Sequence, residues 1–268
     1  MHIPLLTTSI KLAALALISI SSVACSHRTP VKPPKSKSIV SNEAYIPSLA
    51  LLRRGNQELK EVALTIDDGP HDKWAPTILK ALRDNHVHAT FFVVGKKVKE
   101  HPELVKQMLA DGNEVGNHSM NHPRLDSISL AKVKDEIVEC HKTVFQETGY
   151  RMKLLRPPGL RYTEDILKLG KSLGYTTVEE NIAVGDFIVV GDHTWYENNP
   201  GFPAHVAKVR FNVFKQLKNG AIIVIHDMPA TAAALDSILK GIAERGYKVV
   251  TASEMLAHLK NSPVKVGP

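Results

Sequence analysis

The sequence predicts an α/β protein built on a parallel sheet, and three observations carry that prediction. From residue 61 onward, short apolar β-branched runs alternate with segments of helical period. The helical segments carry start and stop chemistry: Pro, Ser or Thr at their beginnings and Gly just past their ends. The composition, 43% hydrophobic and 23% charged over 268 residues, is that of a globular chain able to bury a core without staples. An open doubly wound sheet and a closed barrel both satisfy the alternation, and periodicity does not choose between them. No Gly-x-Gly-x-x-Gly follows the first strand, so a dinucleotide fold lacks its usual signal.

The N-terminus stands outside this pattern. Lys11, the apolar run 12–20 and the small residues of Ser21-Ser22-Val23-Ala24 have the layout of a secretory signal peptide spanning residues 1–24. The apolar run is too short to span a bilayer comfortably. Ser22-Val23-Ala24 is one cleavage site; Val23-Ala24-Cys25 is the other, and it is a lipoprotein pattern in which Cys25 is lipidated. Both place the mature protein outside the cytoplasm, in a bacterial periplasm or cell envelope, with contact to a membrane only through Cys25. Residues 25–57 form a flexible linker and lead-in, rich in Pro, Ser and Lys at first. The domain then runs over residues 58–262. Five basic residues and no acidic ones lie before residue 40, so of the net +7 only +2 belongs to the remainder. That near balance argues against a nucleic-acid partner. The two cysteines, Cys25 and Cys140, exclude a disulfide framework, and Cys140 reads as a small buried apolar residue in a helix.

Strands are expected at 62–66, 90–94, 114–117, 154–156, 176–184, 221–225 and 247–250. Between them, 75–85 places Ile78, Leu79 and Leu82 on one face, and Pro102 opens a helix that stops before Gly112. Ser129 caps a long helix to Thr148, closed by Gly149, and Thr163 caps 164–173, closed by Gly174. Helices at 203–217 and 231–244 follow, then a short one at 253–259 that Ser253 can cap. The polar stretch 192–203 is a lid or an insertion.

Four clusters carry chemistry. Asp67-Asp68-Gly69-Pro70 ends the first strand. Neighbouring side chains on extended backbone point to opposite faces, so the two carboxylates share a spot only if the strand is ending there. Otherwise they make an Asx-type turn. His118-Ser119-Met120-Asn121-His122-Pro123 follows the third strand. Histidines four apart share one face of a helical turn and can reach one cation, and Asp68 adds an oxygen to their two nitrogens. Such a three-ligand set leaves positions open, as catalytic sites require. Arg156-Pro157-Pro158-Gly159 is a stiff turn after a strand, in which Arg156 can clamp a carboxylate bidentately and the Gly159 N–H can approach an oxyanion. His226 ends the apolar strand before Asp227 and can act as a general acid if a carboxylate holds its other nitrogen.

These four motifs, in this order over about residues 61–259, resemble the polysaccharide deacetylases of carbohydrate esterase family 4, which share the NodB homology domain. The resemblance implies a distorted (β/α)7 barrel and metal-dependent removal of N-acetyl groups from a β-1,4-linked sugar polymer. It implies Asp68, His118 and His122 as ligands of a divalent ion, zinc foremost, with cobalt, nickel or manganese as substitutes. It also implies Asp67 as general base, Arg156 as its partner, Gly159 at the oxyanion and His226 as the acid protonating the leaving amine. Family members place Asp-Trp where a gap-free count from Gly174 gives Asp186-Phe187, so Asp186 is expected to support His226; Asp192, near Trp195, competes. The missing Trp leaves the acetyl-pocket wall to Phe187 or Trp195. The expected substrate is a cell-wall glycan, peptidoglycan N-acetylglucosamine first. Chitin oligomers, poly-N-acetylglucosamine and acetylxylan are alternatives, and a wall-binding relative without catalysis is the reading from a different class.

Overall fold

The computed structural model describes residues 43–186 and 199–261. In chain order its strands are β1 (Tyr45–Ile46), β2 (Leu51–Leu52), β3 (Glu61–Gly69), β4 (Thr90–Val93), β5 (Glu114–Asn117), β6 (Leu154–Leu155), β7 (Thr176–Val178), β8 (Ile182–Ala183), β9 (Ala221–His226) and β10 (Lys248–Val250). The helices are α1 (Ala75–Asp84), α2 (Gly95–Glu100), α3 (Pro102–Ala110), α4 (Leu130–Thr148), α5 (Glu164–Ser172), α6 (Phe202–Gln216), α7 (Pro229–Glu244) and α8 (Ala252–Asn261). The sheet order is β1-β2-β7-β6-β5-β4-β3-β9-β8, and β10 pairs with the start of β3. Among the described residues only the β1–β2 pair is antiparallel. The predicted α/β class with a parallel sheet is the observed one.

The expected strand 176–184 is in fact two strands far apart in this order, β8 at one end and β7 third from the other. β7 pairs with β6, whereas β8 pairs with β9. Only residues 179–181 connect them, and three residues of extended chain span roughly 10 Å. β7 and β8 are therefore drawn together, and the sheet curls into a distorted barrel. Asn181 closes the seam. Its backbone N–H donates to Ile222 O (3.1 Å), its Oδ1 accepts from Ile222 N (2.7 Å), and its Nδ2 donates to Arg53 O (3.1 Å).

Alternation along β3 separates two cores. Val62, Leu64 and Ile66 pack beneath the helices, while Ala63 joins Phe92, Ile222, Val250 and Met255 inside the curl. Phe92 needs room there: a Cβ on Gly116 of the neighbouring strand would lie 2.6 Å from its ring. The interior ends in Thr65, Asp67 and Phe92 on one side and Val224 and His226 on the other, so the chemistry-bearing residues sit at the carboxyl ends of the strands, where barrels of this kind place their sites.

Helix limits follow the capping chemistry closely. Ser129 Oγ accepts from Lys132 N, Thr163 Oγ1 accepts from Ile166 N, and Gly149 takes the left-handed φ of 72° that ends α4. At α8 the expected Ser253 cap gives way to a reciprocal box. Thr251 Oγ1 accepts from Glu254 N, and Glu254 Oε2 accepts from Thr251 N. Ser253 bonds Glu114 instead.

The lead-in expected to end at residue 57 contributes to the sheet well before that. β2 pairs in parallel with β7 through Leu51↔Thr177 and Leu52↔Val178, and both leucines are fully buried. Two-residue strands carry no periodicity, and their pairing is set by partners far along the chain. Leu51→Ala is therefore expected to cost about 2–5 kcal/mol, read as a lower midpoint in urea unfolding; an unchanged midpoint would contradict the inclusion of this segment in the fold.

Candidate active site

Asp67 faces the interior by the same alternation that turns Ala63 and Thr65 inward. Asp68 would then face the helices. It does not, because β3 bulges there. Asp67 is paired with Phe92 and Gly69 with Val93, so Asp68 is the extra residue, with φ of 70°. The strand continues to Gly69 rather than ending at Ile66, and the bulge brings both carboxylates to one cleft. Lys97 Nζ donates to the Asp68 carbonyl at 2.6 Å and holds the bulge.

The histidine pair is not on a helical turn, as the spacing suggested. His118 leaves β5 directly, its N–H bonded to Val93 O. Ser119 and His122 both have positive φ, 67° and 59°. The loop is closed by Ser119 Oγ, which accepts from His122 N at 3.0 Å, and by Asn117 Oδ1, which accepts from Ser119 N at 2.9 Å. The result still brings the two rings together, with centroids 5.0 Å apart.

His118 Nδ1 lies 2.7 Å from the Arg156 carbonyl, which only accepts, so this nitrogen carries the proton and Nε2 presents its lone pair. Asp68 Oδ1 lies 3.3 Å from that Nε2 and 3.0 Å from His122 Nε2. One potential ligand atom from each of Asp68, His118 and His122 falls within 4.8 Å of the other two. Asp68 Oδ1 is buried and no hydrogen bond of good geometry satisfies it. Two imidazole nitrogens converging on one buried carboxylate oxygen that lacks a hydrogen bond are a donor set that fits a divalent cation. Burial would raise the Asp68 pKa, but its contacts with His118 and His122 outweigh that and hold it well below the usual carboxylate range. The contact with Asp68 raises His122 in turn.

Arg156 is 1% exposed and fully engaged. Its Nη1 donates to Asp67 Oδ1 (2.7 Å) and Thr65 Oγ1 (2.6 Å), Nε donates to Val178 O (3.2 Å) and Nη2 to Glu179 O (3.1 Å). Its guanidinium lies 4.3 Å from the Phe92 ring centroid. The clamp on Asp67 thus runs through one nitrogen rather than the bidentate pair expected, because the other nitrogens serve the β7 end. Asp67 Oδ2 is left facing the ligand cluster, 3.9 Å from His118 Nε2. Gly159, with φ of 58°, lines the same cleft of about 410 Å³.

Across the cleft, His226 Nδ1 donates to Asp186 Oδ1 at 2.8 Å, and His226 N and Thr231 Oγ1 donate to Asp186 Oδ2, each at 2.6 Å. Asp186 is fully buried, and His205 Nε2 lies 3.2 Å from its carbonyl. Burial alone would lower the His226 pKa; the Asp186 hydrogen bond more than offsets it, with the charges of Asp186, Asp67 and Asp68 adding, and the pKa is raised to about 9. Phe187, Asp192 and Trp195 lie outside the described residues. Thr65, Asn117 and Thr231 position the site, a role the sequence did not assign them: Thr65 stood in the first motif without one, Asn117 read only as a strand end and Thr231 as a helix start.

A family model described as polysaccharide deacetylase matches residues 54–178. The peptidoglycan-N-acetylglucosamine deacetylase of Bacillus cereus is 35% identical over 208 residues, covering 74% of this chain and 89% of that relative. The chain belongs to the polysaccharide deacetylase family. A second family member, the peptidoglycan-N-acetylmuramic acid deacetylase PdaC of Bacillus subtilis, is 34% identical over 73% of this chain, which spans only 38% of PdaC. Among solved structures of this family, a carbohydrate esterase family 4 pseudoenzyme from Bacillus anthracis superposes with a TM-score of 0.69 at 26% identity, covering 79% of this chain and 70% of that one. A mutant of that pseudoenzyme is described as having restored enzymatic activity.

The Asp186 contact sets a sign. A folded pKa raised from 6.5 to about 9 contributes stability that is complete below pH about 6.5 and is lost as pH rises through about 9. In metal-free protein, Asp186→Asn is expected to lower the His226 pKa by about 1 unit or more, as read by NMR titration of the ring; an unmoved titration would show that Asp186 does not govern it.

Proposed function

We propose that this protein is an exported, metal-dependent hydrolase that removes N-acetyl groups from N-acetylglucosamine units of peptidoglycan. The observation that carries the proposal is the convergence of Asp68, His118 and His122 in one cleft with Asp67 and His226. Fold alone does not carry it, since a pseudoenzyme shares the fold. Names of relatives supply the substrate class: both curated relatives described above act on peptidoglycan, one on each of its sugars.

Asp68, His118 and His122 would hold the ion, and two imidazoles with one carboxylate suit zinc, with cobalt, nickel or manganese as substitutes. Such an ion supplies Lewis acidity, polarising the acetamide carbonyl and acidifying the attacking water. Asp67 takes the water's proton on Oδ2, because Arg156 occupies Oδ1. The Gly159 N–H donates to the developing oxyanion. His226, protonated at neutral pH and oriented through Nδ1, gives a proton from Nε2 to the departing amine. Water and the amide become acetate and a free amine. Residues 1–24 act as the export signal, Cys25 as the lipidated first residue, and the Pro- and Lys-rich stretch as a tether in the bacterial envelope. Among the described residues no helix is long and apolar enough to cross a membrane.

Acetate release from peptidoglycan by zinc-loaded protein tests the proposal; zinc-loaded protein that binds wall glycan yet releases no acetate from any N-acetylated glycan would favour the non-catalytic reading. Asp68→Ala is expected to abolish zinc binding in calorimetry, whereas Asp67→Asn keeps it and loses about 100-fold or more in turnover. Equal loss of metal in both variants would contradict this division of labour.

A further inference from the structure

The crossover between β7 and β8 carries two glutamates that the proposed reaction does not use. Alternation sends them opposite ways. Glu179 turns from the cleft, its Oε2 accepting from Arg53 Nε at 2.8 Å and its Oε1 from the Tyr162 hydroxyl. Glu180 lines the cleft beside Asp67, His122 and His226. Its backbone is pinned on both sides, by Arg156 Nη2 on Glu179 O and by Asn181 on Ile222. Among the described residues its carboxyl has no hydrogen bond or ion pair. Burial raises its pKa, against the pull of Arg156. A half-buried acceptor on rigid backbone, next to the reacting groups and committed to none of them, is placed to recognise substrate.

We propose that Glu180 selects the sugar: its carboxyl accepts a hydrogen bond from the C3 hydroxyl of the unit whose C2 acetamido group enters the cleft, favouring N-acetylglucosamine over N-acetylmuramic acid. This rests on the deacetylase reading above. In a β-1,4-linked chain the C1 and C4 oxygens are glycosidic, so the free hydroxyl vicinal to C2 is the one on C3. In the muramic unit that oxygen carries a lactyl ether and has no proton to donate. A lactyl group also adds bulk, and a second carboxylate wherever no peptide caps it. The lost donor and the repulsion act in the same direction.

The test measures kcat/KM of the full-length zinc-loaded protein and its Glu180→Ala and Glu180→Gln variants on peptide-free peptidoglycan strands. Glucosamine and muramic acid formed are counted separately by mass spectrometry, and thermal midpoints serve as the folding control. Wild type is expected to prefer N-acetylglucosamine. Glu180→Ala is expected to lose about 10- to 100-fold on that sugar, mainly through KM, while holding or gaining on the muramic unit. Glu180→Gln, which keeps an acceptor oxygen, recovers part of the loss. An alanine variant within about twofold of wild type, an equal loss on both sugars, or a wild type that prefers muramic units would overturn the proposal. Wild type that forms neither product would instead strike at the deacetylase reading, and is distinguishable because it needs no substitution to be seen.

Discussion

A buried guanidinium holds this site together. Taking a charge out of water costs several kcal/mol unless it is paired and its donors are satisfied. Arg156 meets that condition only by reaching β3 through Thr65 and Asp67, and the end of β7 through the Val178 and Glu179 carbonyls. Its own carbonyl meanwhile receives His118 Nδ1. One residue therefore fixes the Asp67 carboxylate, sets the tautomer of His118, and anchors the crossover that curls the sheet. The closure of the fold and the geometry of the site are the same constraint seen from two sides.

Around that centre the backbone departs from regular structure where Asp68, His118 and His122 converge. Asp68, Ser119 and His122 all adopt left-handed φ without being glycine. Conformations of this kind cost of order 1–3 kcal/mol each and persist only where surroundings over-determine them. Here Lys97 holds the Asp68 carbonyl, Asn117 takes the Ser119 N–H, and Ser119 Oγ takes the His122 N–H. Asn117 is itself held by Ile137 O and the Tyr175 hydroxyl. The strain lies in the segments that carry Asp68, His118 and His122, and hydrogen bonds from Lys97, Asn117 and Ser119 sustain it.

Much of this was legible in the chain, for reasons that differ by element. Helices at α4 and α5 end within a residue of expectation because their caps are local chemistry. Site residues were legible because each stands at or just past the end of an apolar run, and parallel strands bring such ends together. What escaped was non-local or conformational. The break between β7 and β8 depends on which strands each half meets, and nothing in Thr176–Val184 announces it. Two adjacent aspartates read as needing a strand end, while the chain uses a bulge. Four-residue spacing of His118 and His122 read as a helical turn, while the chain uses a serine-closed loop. Asp186 was reachable by counting from Gly174, but Thr231 and Glu180 acquire meaning only once the barrel has closed.

The most direct check on the whole account is a crystal structure of the protein soaked in zinc. The account predicts one ion about 2.0–2.2 Å from an Asp68 oxygen and from Nε2 of His118 and His122, with Arg156 Nη1 still on Asp67 Oδ1. An ion that recruits Asp67 as a ligand in place of Asp68, or that binds elsewhere and leaves the three donors apart, would contradict it.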